Sequence, residues 1–222
     1  MIKRLKIIVE GQTEELFVKN ILAPYLAENY DICAFPIILM TSFDRKNGKK
    51  YKGGVTNYVK IRNDIISAIK EDPNAFYSTM IDFYGLPDDF PGKEKIGGMS
   101  CEKKAECIEN ALKDDIDSHI FIPYVQMHEY ETFLFVSPEN TNEILCGNDT
   151  TLRALDKIIN GFGRIEDINC SPETSPSKRI AELYQYSKVS DGNDIVKKTG
   201  IEKLIKTLPH FSKWIEKIKS FK

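Results

Sequence analysis

The feature that most restricts the fold of this chain is an alternation of short β-branched runs with helical patterns over its first 136 residues. Residues 3–9 (KRLKIIV), 31–40 (DICAFPIILM), 76–83 (FYSTMIDF) and 119–125 read as strands, being apolar runs bounded by turn formers. Between the first two, Leu16, Phe17, Ile21, Leu22, Tyr25 and Leu26 recur at helical spacing behind Thr13, which the pattern makes an N-cap. Pro24 is expected to bend or shorten that helix. Asn57 precedes Ile61, Ile65 and Ile69, and Ser100 precedes Ala105, Ile108 and Leu112, marking two further helices. Strands separated by helices imply an α/β fold with a mainly parallel four-stranded sheet and right-handed crossovers, although strand order is not legible.

Beyond residue 137 the strand signal fades. Ser137-Pro138 and Ser175-Pro176 have the form of an N-cap followed by proline at the first helical position. Leu204, Leu208, Phe211, Ile215 and Ile218, interrupted by Pro209, predict two short helices. The expected organisation is an α/β core over 1–136 and a helical part over 137–222 packed on it within one structural domain. Its most linker-like stretch is Gly161 to Pro176.

No apolar run approaches the roughly 20 residues of a membrane span, and the N-terminus enters a strand pattern at once, so a cytoplasmic protein is expected. The five cysteines form no CxxC pair, which argues for inert thiols rather than a disulfide framework or a zinc site. A net charge of −2 provides no global attraction for nucleic acid; such a partner would be held by local patches or through metal ions. One patch is visible: Arg45, Lys46, Lys49, Lys50 and Lys52 lie with Tyr51 in a glycine-containing segment that could clamp a phosphate backbone or remain merely solvated. Neither GxxxxGK[ST] nor GxGxxG occurs, which disfavours nucleotide hydrolysis by the chain alone.

In an open parallel sheet, ligands gather beyond the carboxyl ends of the strands. Glu10 follows the first strand and Glu14 stands one helical turn later; Asp82 ends the third strand, and Glu129 and Glu131 follow the fourth. Five carboxylates on one rim repel one another unless protons, basic groups or cations compensate. Hard oxygen donors suit Mg2+ or Mn2+, and two such ions about 4 Å apart support in-line phosphodiester displacement. Each acid taken singly also has an ordinary role as a turn former or helix cap, and Glu15 reads as a first-turn acid. His128 adjoins the acids as a ligand, a proton shuttle or a hydrogen-bonded structural histidine, whereas His119 and His210 belong to no constellation. Lys178 and Arg179, at a predicted helix start, are candidates for phosphate contact or for a solvated face.

The segments VEGQTEE, IDFYGLPDDFPG, IPYVQMHEYETFLF, SPSKRIAELY and LPHFSKWIEKI together resemble a bacterial domain-of-unknown-function family, number 4276, which is similar to Toprim domains. Toprim domains of topoisomerases, primases and OLD-type nucleases share a glutamate after the first strand and an Asp-x-Asp after the third; Glu10 and Asp82 match these positions. Glu14 matches the second acid of OLD-type nucleases. The resemblance implies a metal-dependent nuclease with Glu10 and Asp82 as catalytic groups, and a role in defence against phage or mobile DNA beside an ATPase. Tyr84 departs from the pattern, standing where the second aspartate belongs, with Asp88 and Asp89 further along the loop; the second metal site thus lacks its usual ligand, for which Glu129 or Glu131 is a candidate replacement. The rival expectation is a non-catalytic module that uses the same scaffold to hold nucleic acid or a partner protein; a phosphatase or nucleotidyl transferase with the same acids is a third.

Overall fold

The computed structural model describes residues 2–39, 57–168 and 174–221. The basic segment Arg45–Lys52 lies outside these residues. The described elements begin with β1 (Lys3–Val9), α1 (Gln12–Phe17), a π-helical segment (Val18–Leu22), α2 (Ala23–Tyr30) and β2 (Ile32–Ile38). They continue with α3 (Tyr58–Glu71), β3 (Phe76–Asp82), α4 (Cys101–Ile116), β4 (Phe121–Ile122) and β5 (Val125–Gln126). The helical half holds α5 (Pro138–Ile144), α6 (Asp149–Asn160), α7 (Pro176–Leu183), α8 (Asp191–Thr199), α9 (Ile201–Thr207) and α10 (Pro209–Lys219). The strand order is β2-β1-β3-β4, with β5 also on β3, and every described pairing is parallel. This is the α/β fold expected, with a mostly helical second half.

The side-chain period of two sorts the strands between two cores. Leu5, Ile7, Val9 and Met80 face α1, α2 and the second half, in a cluster that includes Phe133, Leu155, Phe211 and Trp214. Ile8, Tyr77 and Ile81 face α3 and α4 through Ile61, Ile65, Ile108 and Leu112. Each of these fully buried aliphatic side chains contributes about 1.5–3 kcal/mol of transfer free energy.

Specific polar contacts fasten the second half to the sheet. The Trp214 indole donates to Ser78 Oγ at 2.8 Å, and its ring stacks on Tyr124 with centroids 4.2 Å apart. The buried Glu166 carboxylate accepts the backbone N–H groups of His210 and Phe211, capping the open end of α10. His210 Nε2 lies 2.9 Å from Glu109, so this histidine does belong to a buried constellation, a structural one. Burial opposes its charge, but Glu109 and Glu166 outweigh that and raise its pKa.

Several local expectations are corrected. The first helix is capped at Gly11 rather than Thr13, with the Glu14 carboxylate accepting the Gly11 N–H at 3.0 Å. Just before Pro24 the regular helix gives way to the π segment Val18–Leu22, whose wider turn accommodates a proline with no N–H to offer, and α2 then runs on to Tyr30. The fourth strand is split in two. Pro123 lacks an N–H, and Thr79 Oγ1 bridges the interruption, accepting from Tyr124 N and donating to Tyr124 O, both at 2.9 Å. Cys101 is disulfide-bonded and not an inert thiol, while Cys33, Cys107 and Cys146 are free.

The sheet's β2 margin carries Pro36, opposite Ile7 in the register, and exposes Phe35 and Ile38. No described helix is long and apolar enough to cross a membrane.

Candidate functional site

Because β1 and β3 are parallel neighbours, with Val9 opposite Met80, their carboxyl ends deliver Glu10 and Asp82 to the same rim about one strand spacing apart. The Asp82 backbone N–H lies close enough to the Glu10 carboxylate to favour its charged form, against the burial that raises its pKa. Gly85, in the turn that follows β3, makes room for that carboxylate: a Cβ there would stand 2.5 Å from Glu10 Oε2. Glu14 joins from the first turn of α1, buried and oriented by the Gly11 N–H. Glu131 comes from the 3-10 turn Tyr130–Phe135 and is only 1% exposed, its Oε1 accepting the Tyr186 hydroxyl.

At the centre of these four acids sits Lys188. Its ammonium lies 3.4 Å from Asp82 Oδ2 and 3.4 Å from Glu131 Oε2. The first contact is a hydrogen bond; the second is close enough for attraction but lacks hydrogen-bond geometry, so Glu131 Oε2 remains unpartnered. Glu10 Oε2 and Asp82 Oδ1 are likewise buried without a partner. Three acceptors from three separate segments are therefore left unsatisfied around one cation, a costly arrangement in a dry pocket.

The protonation equilibria express the same excess of negative charge. Burial pushes the Asp82 carboxyl well above its usual range, with Glu14, Glu10 and Glu131 adding to the effect and Lys188 opposing it. Glu10 is raised by burial and by Glu14, and Glu14 by burial and Glu131. Burial works against the Lys188 ammonium, yet Asp82, Glu131 and Glu14 outweigh it and hold its pKa above the ordinary lysine value. The Tyr186 hydroxyl is pushed up by burial and by Glu131. The pocket thus favours any added positive charge.

The donor set suits a divalent cation: carboxylate oxygens only, three of them orphaned. As the side chains stand, no group of three or more His, Cys, Asp or Glu residues is placed to hold a metal ion among the described residues. Lys188 holds that central place.

The remaining candidates divide sharply. Glu129 is diverted: its Oε2 accepts the Ser177 N–H at 2.9 Å and caps α7, although its charge still acts on Glu10. Beyond Tyr84, Asp88 is fully exposed and Asp89 accepts the Tyr58 N–H at the start of α3, so neither joins the cluster, whereas Glu131 meets Lys188 there. His128 has φ +63° and is buried, its Nε2 3.0 Å from the Glu166 carbonyl, which is the structural reading of this residue. Arg179 donates to the Thr174 carbonyl and lies over the Phe162 ring at 5.4 Å, while Lys178 is exposed on α7. Sequence reasoning missed Lys188 and Tyr186, which lie in the connection between α7 and α8, where no motif marks them.

No curated protein and no solved structure matches this chain. Residues 9–219 match the family described as Domain of unknown function (DUF4276), a span that includes all four converging acids together with Lys188 and Tyr186, and the chain belongs to that family.

Proposed function

We propose that this protein is a divalent-metal-dependent nuclease that hydrolyses phosphodiester bonds of DNA or RNA. The observation that carries this reading is the set of three buried carboxylate oxygens without a hydrogen-bond partner, on Glu10, Asp82 and Glu131, gathered with Lys188 at the carboxyl edge of the sheet. Glu10, Asp82 and Glu131 would hold Mg2+ or Mn2+, with Glu14 completing the charge. A bound ion supplies Lewis-acid polarisation of a phosphoryl oxygen and acidifies water. The protein's own groups do the rest. Gly85 keeps the Glu10 carboxylate aimed inward, Tyr186 fixes Glu131, and Lys188 neutralises the acids and offers a cation to a phosphate oxygen. The basic segment Arg45–Lys52 supplies further backbone contacts, with Lys178 at the outer surface.

Resemblance to OLD-type nucleases supports a role in defence against phage or mobile DNA, alongside an ATPase. Glu10→Ala and Asp82→Ala are expected to abolish Mn2+-dependent cleavage of single- and double-stranded DNA and RNA while leaving the fold intact by circular dichroism. Cleavage at the wild-type rate in both variants would remove the proposal.

A second reading has its own support. Lys188 already occupies the centre of the acids, as in a scaffold that has replaced an ion by an ammonium and binds nucleic acid or a partner protein without chemistry. Calorimetric titration with Mn2+ separates the two. The nuclease reading requires a site that Asp82→Ala removes, and the scaffold has none.

A further inference from the structure

Immediately beside the acids lies a cavity of about 180 Å3, lined by Phe83, Tyr84, Lys104, Ala105, Met127 and His128, with the disulfide-bonded Cys101 at one wall. Two of its walls belong to the segments that carry the candidate ligands: Phe83 and Tyr84 directly follow Asp82, and Met127 and His128 lie on the same short stretch as Glu131. Two residues of chain span at most about 7 Å, so the cavity and the acid pocket are neighbours. The Tyr84 and His128 rings are inclined by only 31°, with centroids 5.6 Å apart, and are locked together by the hydrogen bond from Tyr84 N to His128 O at 3.1 Å. Ala105 and Met127 are almost wholly buried and make the interior apolar. Lys104, near enough to bear on the charge of His128, is the basic side chain of the lining.

An apolar cavity of about 150 Å3 accepts a benzene ring, whereas drug-sized ligands need about 300 Å3 or more. This cavity is therefore the size of one aromatic ring. Its chemistry is aromatic faces and a thioether within, a cation beside them, and a cation-seeking acid cluster next door. We propose that the cavity is a nucleobase pocket that takes one unstacked base of a single-stranded nucleic acid, adjoining the phosphate addressed by the acid site. The inference rests on the nuclease reading for the position of that phosphate. A base inside a duplex must first be extruded, at the cost of pairing and stacking, so the pocket directs the protein to single strands, frayed ends or loops. Base–aromatic stacking supplies the affinity without demanding a sequence.

The test reads binding, not cleavage, so it remains informative if the acids prove to be non-catalytic. Fluorescence anisotropy with a short labelled oligothymidylate in Ca2+ is compared with a base-less deoxyribose-phosphate strand of equal length and with the oligothymidylate paired to its complement. The single strand is expected to bind about 10-fold or more tightly than either competitor, and Tyr84→Ala and Met127→Glu to remove most of that advantage. Thermal melting of both variants checks that they fold, and Lys104→Gln, on the partly exposed side, serves if either does not: it should weaken oligothymidylate binding about 3-fold or more. Equal binding of the base-less strand, or full discrimination retained in folded Tyr84→Ala, overturns the pocket. A wild-type protein that shows base discrimination but no Mn2+-dependent cleavage would refute the nuclease reading and leave the base pocket standing.

Discussion

Replacing Lys188 by methionine removes the ammonium that contacts Asp82 and Glu131 at the centre of the acid cluster while keeping most of the stem's apolar bulk. At 3.4 Å, and at the effective dielectric of about 20 suited to protein sites, each of its two carboxylate contacts has a gross attraction near 5 kcal/mol. Most of this is cancelled by desolvation, and a side chain 42% exposed is further screened by water. The net effect lies between an exposed pair, at most about 1 kcal/mol, and a broken buried pair, about 3–5 kcal/mol. We expect a loss of about 2 kcal/mol, or roughly 4–8 °C in Tm for a chain of this size, by differential scanning fluorimetry in EDTA. Millimolar Mn2+ should restore most of the loss, because a divalent ion neutralises the same carboxylates that the ammonium did. An unchanged Tm in EDTA would refute the counter-charge role of Lys188. A loss that Mn2+ does not repair would refute the metal site.

Asp82→Asn removes a buried charge whose neighbours already repel it, so its Tm in EDTA should equal or exceed that of the wild type while the increment on adding Mn2+ disappears; a drop of more than about 4 °C in EDTA would contradict this. Gly85→Ala sets a methyl group 2.5 Å from Glu10 Oε2, and since the obstructed atom ends a flexible side chain, the fold should tolerate it with a Tm change below about 2 °C while Mn2+ affinity by calorimetry falls about 10-fold. Glu10, Glu14 and Asp82 bind protons more tightly folded than unfolded, so the metal-free native state carries more protons and its stability declines as pH rises above their ordinary values of 4.5, 4.5 and 3.8. The Tm gain from Mn2+ should accordingly grow between about pH 5 and pH 8, and a gain that shrinks over this range would contradict the shifts. Glu102, drawn down to about 2 by Lys213 and Arg164, has the opposite sign but acts below that window.

The parallel sheet was legible because short β-branched or aromatic runs, ending in the buried Ile7-Ile8-Val9 of β1 and Met80-Ile81 of β3, alternate with helical patterns, which calls for crossover connections. The rim position of Glu10, Glu14 and Asp82 followed from the rule that parallel strands present their carboxyl ends together. Other features depended on what lies opposite in space. Pro123 is visible in the chain, but the bridging by Thr79 that splits the strand there belongs to the neighbouring strand. Glu129 and Glu131 are indistinguishable by spacing, yet the Ser177 amide draws one away and the Tyr186 hydroxyl fixes the other in the pocket. Lys188 is one lysine among many until α7 and α8 pack and carry their connection across the sheet edge. A charge that completes a cluster from more than a hundred residues away leaves no periodicity to read.

Pro36 has a consequence for how the molecule behaves in a crowd. Leu39 N donates to Val9 O, so by the two-residue period the odd-numbered amides of β2 turn inward to β1 and the even-numbered ones, Pro36 among them, turn outward. The imino acid thus costs the ladder nothing, yet it removes a donor from the middle of the row that a foreign strand would have to grip. Among the described residues no strand covers this margin, and with Phe35 and Ile38 bare on either side of it, the missing proton makes the edge a poorer template for a like chain.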